Sequence, residues 1–128
     1  MAEYSDVSVN LRTELLKAIH FIFRDQCNLQ PGWRVLILCD SHTPQHISTA
    51  FNGVAMQFGS QVAELRVPMA PHPAYQPGFT WDPFIAETVL AAAEHADLIV
   101  DMAIGYADPD APTRSLAERC AERLRVFD

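Results

Sequence analysis

The side chains best suited to chemistry in this chain stand at the ends of two short apolar runs. Asp40, Ser41 and His42 directly follow the first run, and Asp101 follows the second. Carboxylate, imidazole and hydroxyl groups can bind metal ions, transfer protons or hydrogen-bond a small ligand. In open α/β sheets, ligands bind beyond the carboxyl ends of the strands, close to exposed helix N–H groups. We therefore predict that these four residues line a ligand site or cleft.

The first apolar run, 35–39, predicts a short strand that is buried on both faces of a parallel sheet. The turn pair Pro31-Gly32 precedes it, and Asp40 begins the polar turn that follows. Beyond that turn, Thr43 is suited to cap a helix and Pro44 to occupy its first turn, where a missing N–H costs nothing. The predicted unit is a strand, a short polar turn and a helix N-terminus.

Apolar periodicity predicts the other elements. Helices are expected over about 9–28, 44–58, 82–94 and 113–123. Ser8 or Asn10 could cap the first of these helices, Gly59 should end the second, and Asp82-Pro83 should begin the third. Further strands are expected over 61–67, 98–103 and 125–128. This alternation predicts a three-layer α/β fold, Rossmann-like or flavodoxin-like, with helices on both faces of a parallel sheet of about four strands. The simplest strand order is 2-1-3-4. In that order the carboxyl ends of strands one and three adjoin, which brings Asp40 and Asp101 to the switch point.

Two consecutive segments predict a more exposed side of the domain. The strand at 61–67 alternates and is interrupted by charge, so we expect an edge strand with Glu64 and Arg66 on the same, wetter side. Residues 68–81 carry four prolines and three aromatic residues, which predicts a stiff loop without periodicity. Loops of this length are often functional or partner-facing, although this one could simply cover the sheet edge. The loop includes His72, between two prolines, as a further candidate cleft residue.

Composition excludes several classes of function. The formal net charge is −7 and Lys17 is the only lysine, so nucleic-acid binding is not expected. No apolar stretch is long enough to span a bilayer, and the first residues lack the basic region of a signal peptide. Three widely spaced cysteines, at positions 27, 39 and 120, fit neither a disulfide framework nor a zinc site. These features predict a cytoplasmic protein.

Other chemistries at the predicted site are less well supported. A phosphoacceptor of the receiver type would use Asp40 and Asp101 to hold magnesium, but it needs a lysine on a later strand, and Lys17 lies in the first predicted helix. His42 and His46 are spaced to share a helix face as metal ligands, yet the positive end of the helix dipole disfavours a cation there. The chain contains no glycine-rich nucleotide motif and no G-x-S-x-G elbow around Ser41.

The end of the chain also carries an expectation. A strand stub at 125–128 with no following helix would leave one side of the sheet partly uncovered. We therefore expect residues 1–128 to form a single α/β domain that is the N-terminal part of a larger, two-domain enzyme.

Several segments together resemble a known group of metalloenzymes. They are Leu29-Gln30-Pro31-Gly32 before the first strand, Thr43-Pro44 after it, Ala63-Glu64-Leu65, the run 67–73, and the run 92–101. This pattern, from about Leu15 to Asp101, is similar to the aminopeptidase T-type metallo-aminopeptidases and to the dihydroxypyridine ring-cleaving dioxygenases built on the same fold. The Pro-His-Pro loop favours the dioxygenase branch.

The resemblance implies that this chain frames the active-site cleft while a larger C-terminal domain, or a second subunit, supplies the ligands of a divalent metal of the iron or zinc class. The resemblance therefore implies that this chain contains no catalytic residue, metal ligand or cofactor and is inactive alone. A homo-oligomer is also compatible with the resemblance. The alternative is a stand-alone α/β module that binds a small ligand or a protein through Asp40, Ser41, His42 and the 68–81 loop.

Overall fold

The computed structural model describes residues 2–68, 82–103 and 125–127, with side chains over 12–68 and 82–103. Its elements alternate along the chain as the periodicity predicts. They are α1 (Ala2–Phe21), a π-helical turn (Ile22–Gln26), β1 (Arg34–Asp40), α2 (Gln45–Gln57), β2 (Gln61–Val67), α3 (Pro83–Glu94), β3 (Leu98–Asp101) and β4 (Arg125–Phe127).

The described strands form one parallel sheet in the order β2-β1-β3-β4, which confirms the predicted strand order. β1 lies in the interior of the sheet, with Val35 beside Val62 on one neighbour and beside Leu98 on the other. β1 is buried from its second residue to its last because it has a strand on each side and helices on each face.

Alternate residues of β1 supply two separate cores. Val35, Ile37 and Cys39 pack against one layer, which is formed by α1, the π-helical turn and α2. Leu36 and Leu38 face the opposite layer, which is formed by α3. Successive side chains of a strand point to opposite faces, so one apolar run can serve both layers. The fold is therefore three-layered α/β, as expected.

The first helix differs from the prediction at both of its ends. It begins at Ala2 instead of near residue 9, so the two expected caps, Ser8 and Asn10, lie within it. It changes to a π-helical turn at Ile22, where Cys27 N–H donates to the Ile22 carbonyl. Asn28 follows with a φ of 51°, a left-handed conformation that asparagine tolerates and that ends the helical path.

The third helix begins as predicted. Asp82 is its N-cap, and its side chain accepts a hydrogen bond from Phe84 N–H at 2.8 Å, while Pro83 takes the first position. β3 ends at Asp101, two residues earlier than expected. Most of the predicted 68–81 loop with His72, and the predicted 113–123 helix with Cys120, lie outside the described residues. Within the described part of the chain, no helix is both long and apolar enough to cross a membrane.

The second helix ends at a glycine that has a conformational reason to be there. Gly59 has a φ of 82°, and its N–H donates to the Met56 carbonyl at 3.0 Å. Ser60 N–H reaches back to the Ala55 carbonyl at 3.4 Å, which completes a Schellman-type ending. This turn leads the chain directly into β2.

We predict opposite effects for alanine at the two glycines of this region. Gly59→Ala should destabilise the fold by about 1 kcal/mol, because a side chain is strained at positive φ. Gly53→Ala should stabilise it by about 0.5 kcal/mol or more, because Gly53 lies within α2 with nothing near its added Cβ. Urea unfolding of both variants checks this. Equal shifts of the same sign would contradict the assignment of Gly59 as a left-handed helix stop.

Candidate functional site

Asp40 shapes the turn between β1 and α2. Its side chain is 1% exposed, and Oδ1 accepts hydrogen bonds from the N–H groups of His42 at 2.7 Å and Thr43 at 3.0 Å. These bonds form an Asx-type turn, which satisfies backbone donors at the end of a buried strand. Ser41 and His42 occupy the tip of the turn and are exposed. The carboxylate therefore serves the turn, while the hydroxyl and imidazole face outward.

Thr43 does not cap α2, contrary to the prediction. Its buried hydroxyl accepts from Asp40 N–H at 3.0 Å and donates to the Met102 carbonyl at 3.3 Å. The N-cap of α2 is instead Pro44, which offers no side-chain bond to the helix. The hydroxyl is used this way because the polar groups at the ends of β1 and β3 need partners away from water. Thr43 thus ties the turn to the neighbouring strand.

Asp101 lies at the same end of the sheet. It stands beside Leu38 in the β1–β3 register, and Met102 N–H donates to the Leu38 carbonyl at 2.8 Å. Its side chain is 8% exposed, and Oδ1 accepts from Ala103 N–H at 3.0 Å. Leu38 lies on the α3 face of the sheet. Asp101 is its register partner and Asp40 lies two residues after it in β1, so both carboxylates belong to the same face. The predicted adjacency of the two strand ends is confirmed, and each carboxylate holds the backbone that follows its own strand.

Arg66 has hydrogen-bond partners that the sequence pattern does not predict. It shares the exposed side of β2 with Glu64, as expected, and its guanidinium also reaches the β1–α2 turn. Nη1 donates to the carbonyls of Asp40 at 2.6 Å and Thr43 at 2.9 Å, and Nη2 to Ser48 Oγ at 3.2 Å. The register that sets Arg66 beside Cys39, one residue before the turn, is what brings it there. The signal available in the sequence was an arginine near the carboxyl end of a strand adjacent to β1.

The buried thiol of Cys39 lies on the same face. Its Sγ donates to Glu64 Oε1 at 3.4 Å. Burial, and then the hydrogen bond and negative charge of Glu64, raise the pKa of the Cys39 thiol from 9.0 to about 12. Cys39 is therefore a protonated core residue and not a nucleophile.

A cavity of about 250 Å³ opens beside the turn, and the described residues that line it are Asp40, His42, Thr43, Pro44, Ile47 and Met102. Its lining combines apolar side chains with the imidazole of His42. Ser41 does not line the cavity, but its Oγ lies 3.4 Å from Nδ1 of His42, which does. A larger cavity, about 350 Å³, is lined by Arg34 and His95 among others. It lies at the amino ends of the strands, away from the turn, so we place the candidate site at the smaller one.

The candidate residues do not form a metal centre in the described part of the chain. No group of three or more His, Cys, Asp or Glu side chains that could hold an ion occurs there. The carboxylates of Asp40 and Asp101 already accept backbone N–H groups, and His46 is exposed in the first turn of α2. Lys17, the only lysine in the sequence, lies in α1 and pairs with Glu14 at the surface, so it is not the strand lysine that a receiver site requires. The arrangement is suited to hydrogen bonding of a ligand by Ser41 and His42.

Comparison with known proteins identifies a structural neighbour. The fold is similar to that of 2,5-dihydroxypyridine dioxygenase from Pseudomonas putida KT2440, with a TM-score of 0.67 and 16% sequence identity. The match covers 90% of this chain and 34% of that chain, so this chain spans about a third of the length of the dioxygenase. No protein-family model and no curated protein matches the sequence. At this identity the likeness shows a shared fold.

We predict that Arg66→Met lowers the free energy of unfolding by about 2 kcal/mol, because two carbonyls at the buried end of β1 lose a charged donor. Arg24→Met is the matched control. Arg24 is 70% exposed and pairs only with its neighbour Asp25 among the contacts described, so the change should stay within about 0.5 kcal/mol. Urea unfolding measures both. Equal effects would show that the Arg66 bonds do not hold the turn.

We also predict that Cys39 reacts slowly with iodoacetamide at pH 8. A thiol of pKa about 12 carries roughly a thousand-fold less thiolate there than one of pKa 9.0. Stability should fall as pH rises from about 9 towards 12, because the unfolded thiol ionises first and the native state then binds more protons. Peptide mapping of the alkylated chain and urea unfolding against pH test both effects. Cys39→Val should remove this loss of stability between pH 9 and 12, and Cys27→Val should leave it in place. If the native and the unfolded chain were labelled at Cys39 equally fast, the assignment of a buried, protonated thiol would be contradicted.

Proposed function

We propose that this chain is the N-terminal α/β part of a larger metal-dependent enzyme of the ring-cleaving dioxygenase type. In this proposal the chain forms one wall of the substrate cleft, and residues outside it bind the metal. The observation that carries the proposal is the match of 90% of the chain to about a third of 2,5-dihydroxypyridine dioxygenase. The segments that resemble the same dioxygenase group also support it, although each of them alone is common in α/β proteins. No comparison supports the aminopeptidase branch, which stays a prediction.

The geometry of the β1–α2 turn is compatible with a cleft wall. Asp40, Thr43 and Arg66 hold the turn from three directions, so Ser41 and His42 are presented from a fixed backbone. A site on a fixed backbone loses little conformational entropy when a ligand binds. The polar groups at its tip are of the kind that would hydrogen-bond the hydroxyl groups or ring nitrogen of a substituted pyridine.

The size of the cavity favours a small ligand. Its volume of about 250 Å³ is below the usual range for sites that enclose a drug-sized molecule, which starts near 300 Å³. Ile47 and Met102 provide an apolar surface against which a planar ring can pack. We assign no chemical step to a metal, because the described residues offer no ligand set for one. His72, the cytoplasmic location and the C-terminal partner remain predictions.

The first test is the mass and metal content of the native protein. Antibody against this chain should isolate from its source cells a polypeptide or stable complex well above 14.3 kDa that contains iron or zinc. Intact-mass spectrometry and elemental analysis measure this. A native species of 14.3 kDa without metal would contradict the proposal and favour the stand-alone binding module. Stoichiometric metal in the 128-residue chain alone, lost on His42→Ala, would place a ligand within it and also contradict the proposal.

The second test separates ligand contact from metal binding in the native protein. With 2,5-dihydroxypyridine as the probe substrate, His42→Ala should raise KM by about ten-fold, the value of one lost hydrogen bond, and leave metal content unchanged. His46→Ala is the matched control, because His46 is exposed one turn away and does not line the cavity. Equal kinetics for the two variants would contradict a role of His42 in the cleft.

A further inference from the structure

β2 forms one edge of the sheet in the described part of the chain. It pairs with β1 alone, through seven consecutive register positions without a bulge. Between Gln61 and Val67 there is no proline or lysine. Natural edge strands usually carry proline, lysine or other charged side chains, because an unprotected edge is a template for pairing with another strand. In β2 the charged side chains are Glu64 and Arg66, one of each sign. Among the described residues this edge has no second partner strand, and the charges of β2 decide which strand it can accept.

The backbone groups that face outward can be assigned from one hydrogen bond. Gln61 N–H donates to the Trp33 carbonyl at 3.0 Å, so the N–H and C=O groups of the odd-numbered residues of β2 point towards β1. Alternation then directs the backbone groups of Val62, Glu64 and Arg66 away from the sheet. Among the described residues, these groups have no strand partner.

The side chains of β2 divide into two rows. Glu64 and Arg66 lie on the α2 face, where their side chains are 28% and 32% exposed and form an ion pair at 3.7 Å. Ala63, Leu65 and Val67 lie on the α3 face, and Leu65 packs only partly into that core. The first row thus carries one negative and one positive side chain after Val62, and the second row is apolar.

We propose that β2 pairs antiparallel with β2 of a second copy of this chain, about a two-fold axis at Leu65. This register sets Glu64 opposite Arg66 of the second copy, and the reverse, so each charge meets its opposite. It also sets Leu65 opposite itself and Ala63 opposite Val67, which continues the apolar row across the axis. The result is an isologous dimer in which the two sheets form one continuous sheet.

The outward backbone groups fit this register. Glu64 and Arg66 point outward, so they form hydrogen-bonded pairs with Arg66 and Glu64 of the second copy, while Leu65 forms a non-hydrogen-bonded pair with itself. Pro68 ends the ladder because it has no N–H.

Neighbouring registers are electrostatically worse. An axis at Glu64 places the two Glu64 carboxylates directly opposite each other, and an axis at Arg66 does the same with the two guanidinium groups. Like charges opposite each other destabilise strand pairing. An axis at Ala63 places Glu64 opposite Val62 and leaves Arg66 beyond the pairing. Of these symmetric registers, only the axis at Leu65 pairs both charges of each copy, so a second copy of β2 is complementary to β2 in this one register. The short ladder predicts a reversible dimer that depends on concentration.

Cysteine cross-linking tests the register. In a Cys120→Ala background, Leu65→Cys should give a disulfide-linked dimer under mild oxidation, because non-hydrogen-bonded pairs have Cα atoms about 4.5 Å apart. Ala63→Cys is the matched control on the same face. In this register each position 63 lies four residues from its copy along the strand, about 13 Å, which a disulfide cannot span. Preferential cross-linking at 63, or equal yields at both positions, would overturn the proposal.

Sedimentation velocity tests association without cysteine substitution. The full chain should shift from monomer to dimer as its concentration rises through the micromolar range. Glu64→Arg should weaken the dimer at least about ten-fold, because two arginines then face each other. Gln61→Arg, outside the paired segment, should leave it unchanged. A chain that stays monomeric, a dimer insensitive to Glu64→Arg, or a native protein whose remaining sequence covers β2 would each overturn the proposal.

Discussion

The structure depends on how the buried strand β1 comes to an end. β1 is covered on both faces, so water cannot satisfy the polar groups where the chain leaves the sheet. Three side chains do this instead. Asp40 accepts the N–H groups of the turn, Thr43 connects the turn to the end of β3, and Arg66 donates to its carbonyls from β2. The conformation of the turn is therefore set by three neighbouring strands together.

This constraint separates the candidate residues by role. Asp40 and Asp101, which chemistry alone makes attractive, are engaged in holding backbone. Ser41 and His42 remain at the exposed tip. In a cleft wall, Ser41 and His42 would contact the ligand, while Asp40 and Asp101 make the backbone behind them rigid. The same logic extends to the edge of the sheet, where Arg66 fixes the turn and, with Glu64, gives β2 its alternating charge.

The sequence predicted the layers and the strand order well, because both follow from local patterns. A short apolar run between turn residues is typical of a strand buried on both faces, and crossover chirality limits the order of four strands. Capping was predicted correctly at Asp82 and incorrectly at Thr43, although both precede a proline. The difference is the neighbourhood: the carbonyl of Met102, 59 positions away, takes the Thr43 hydroxyl. Propensity describes a residue without its distant partners, so it cannot distinguish the two cases.

By itself, the sequence determined a three-layer α/β domain with its acidic strand ends brought side by side and a charged strand at one edge. The tertiary structure decided which of those side chains hydrogen-bond to other parts of the protein. Arg66 lies 26 positions from Asp40 along the chain, and Glu64 lies 25 positions from Cys39. The parallel register brings these pairs together, and the strand ends that it buries require hydrogen-bond partners. No local pattern encodes such a register, because it arises only when separate segments pack on the same sheet.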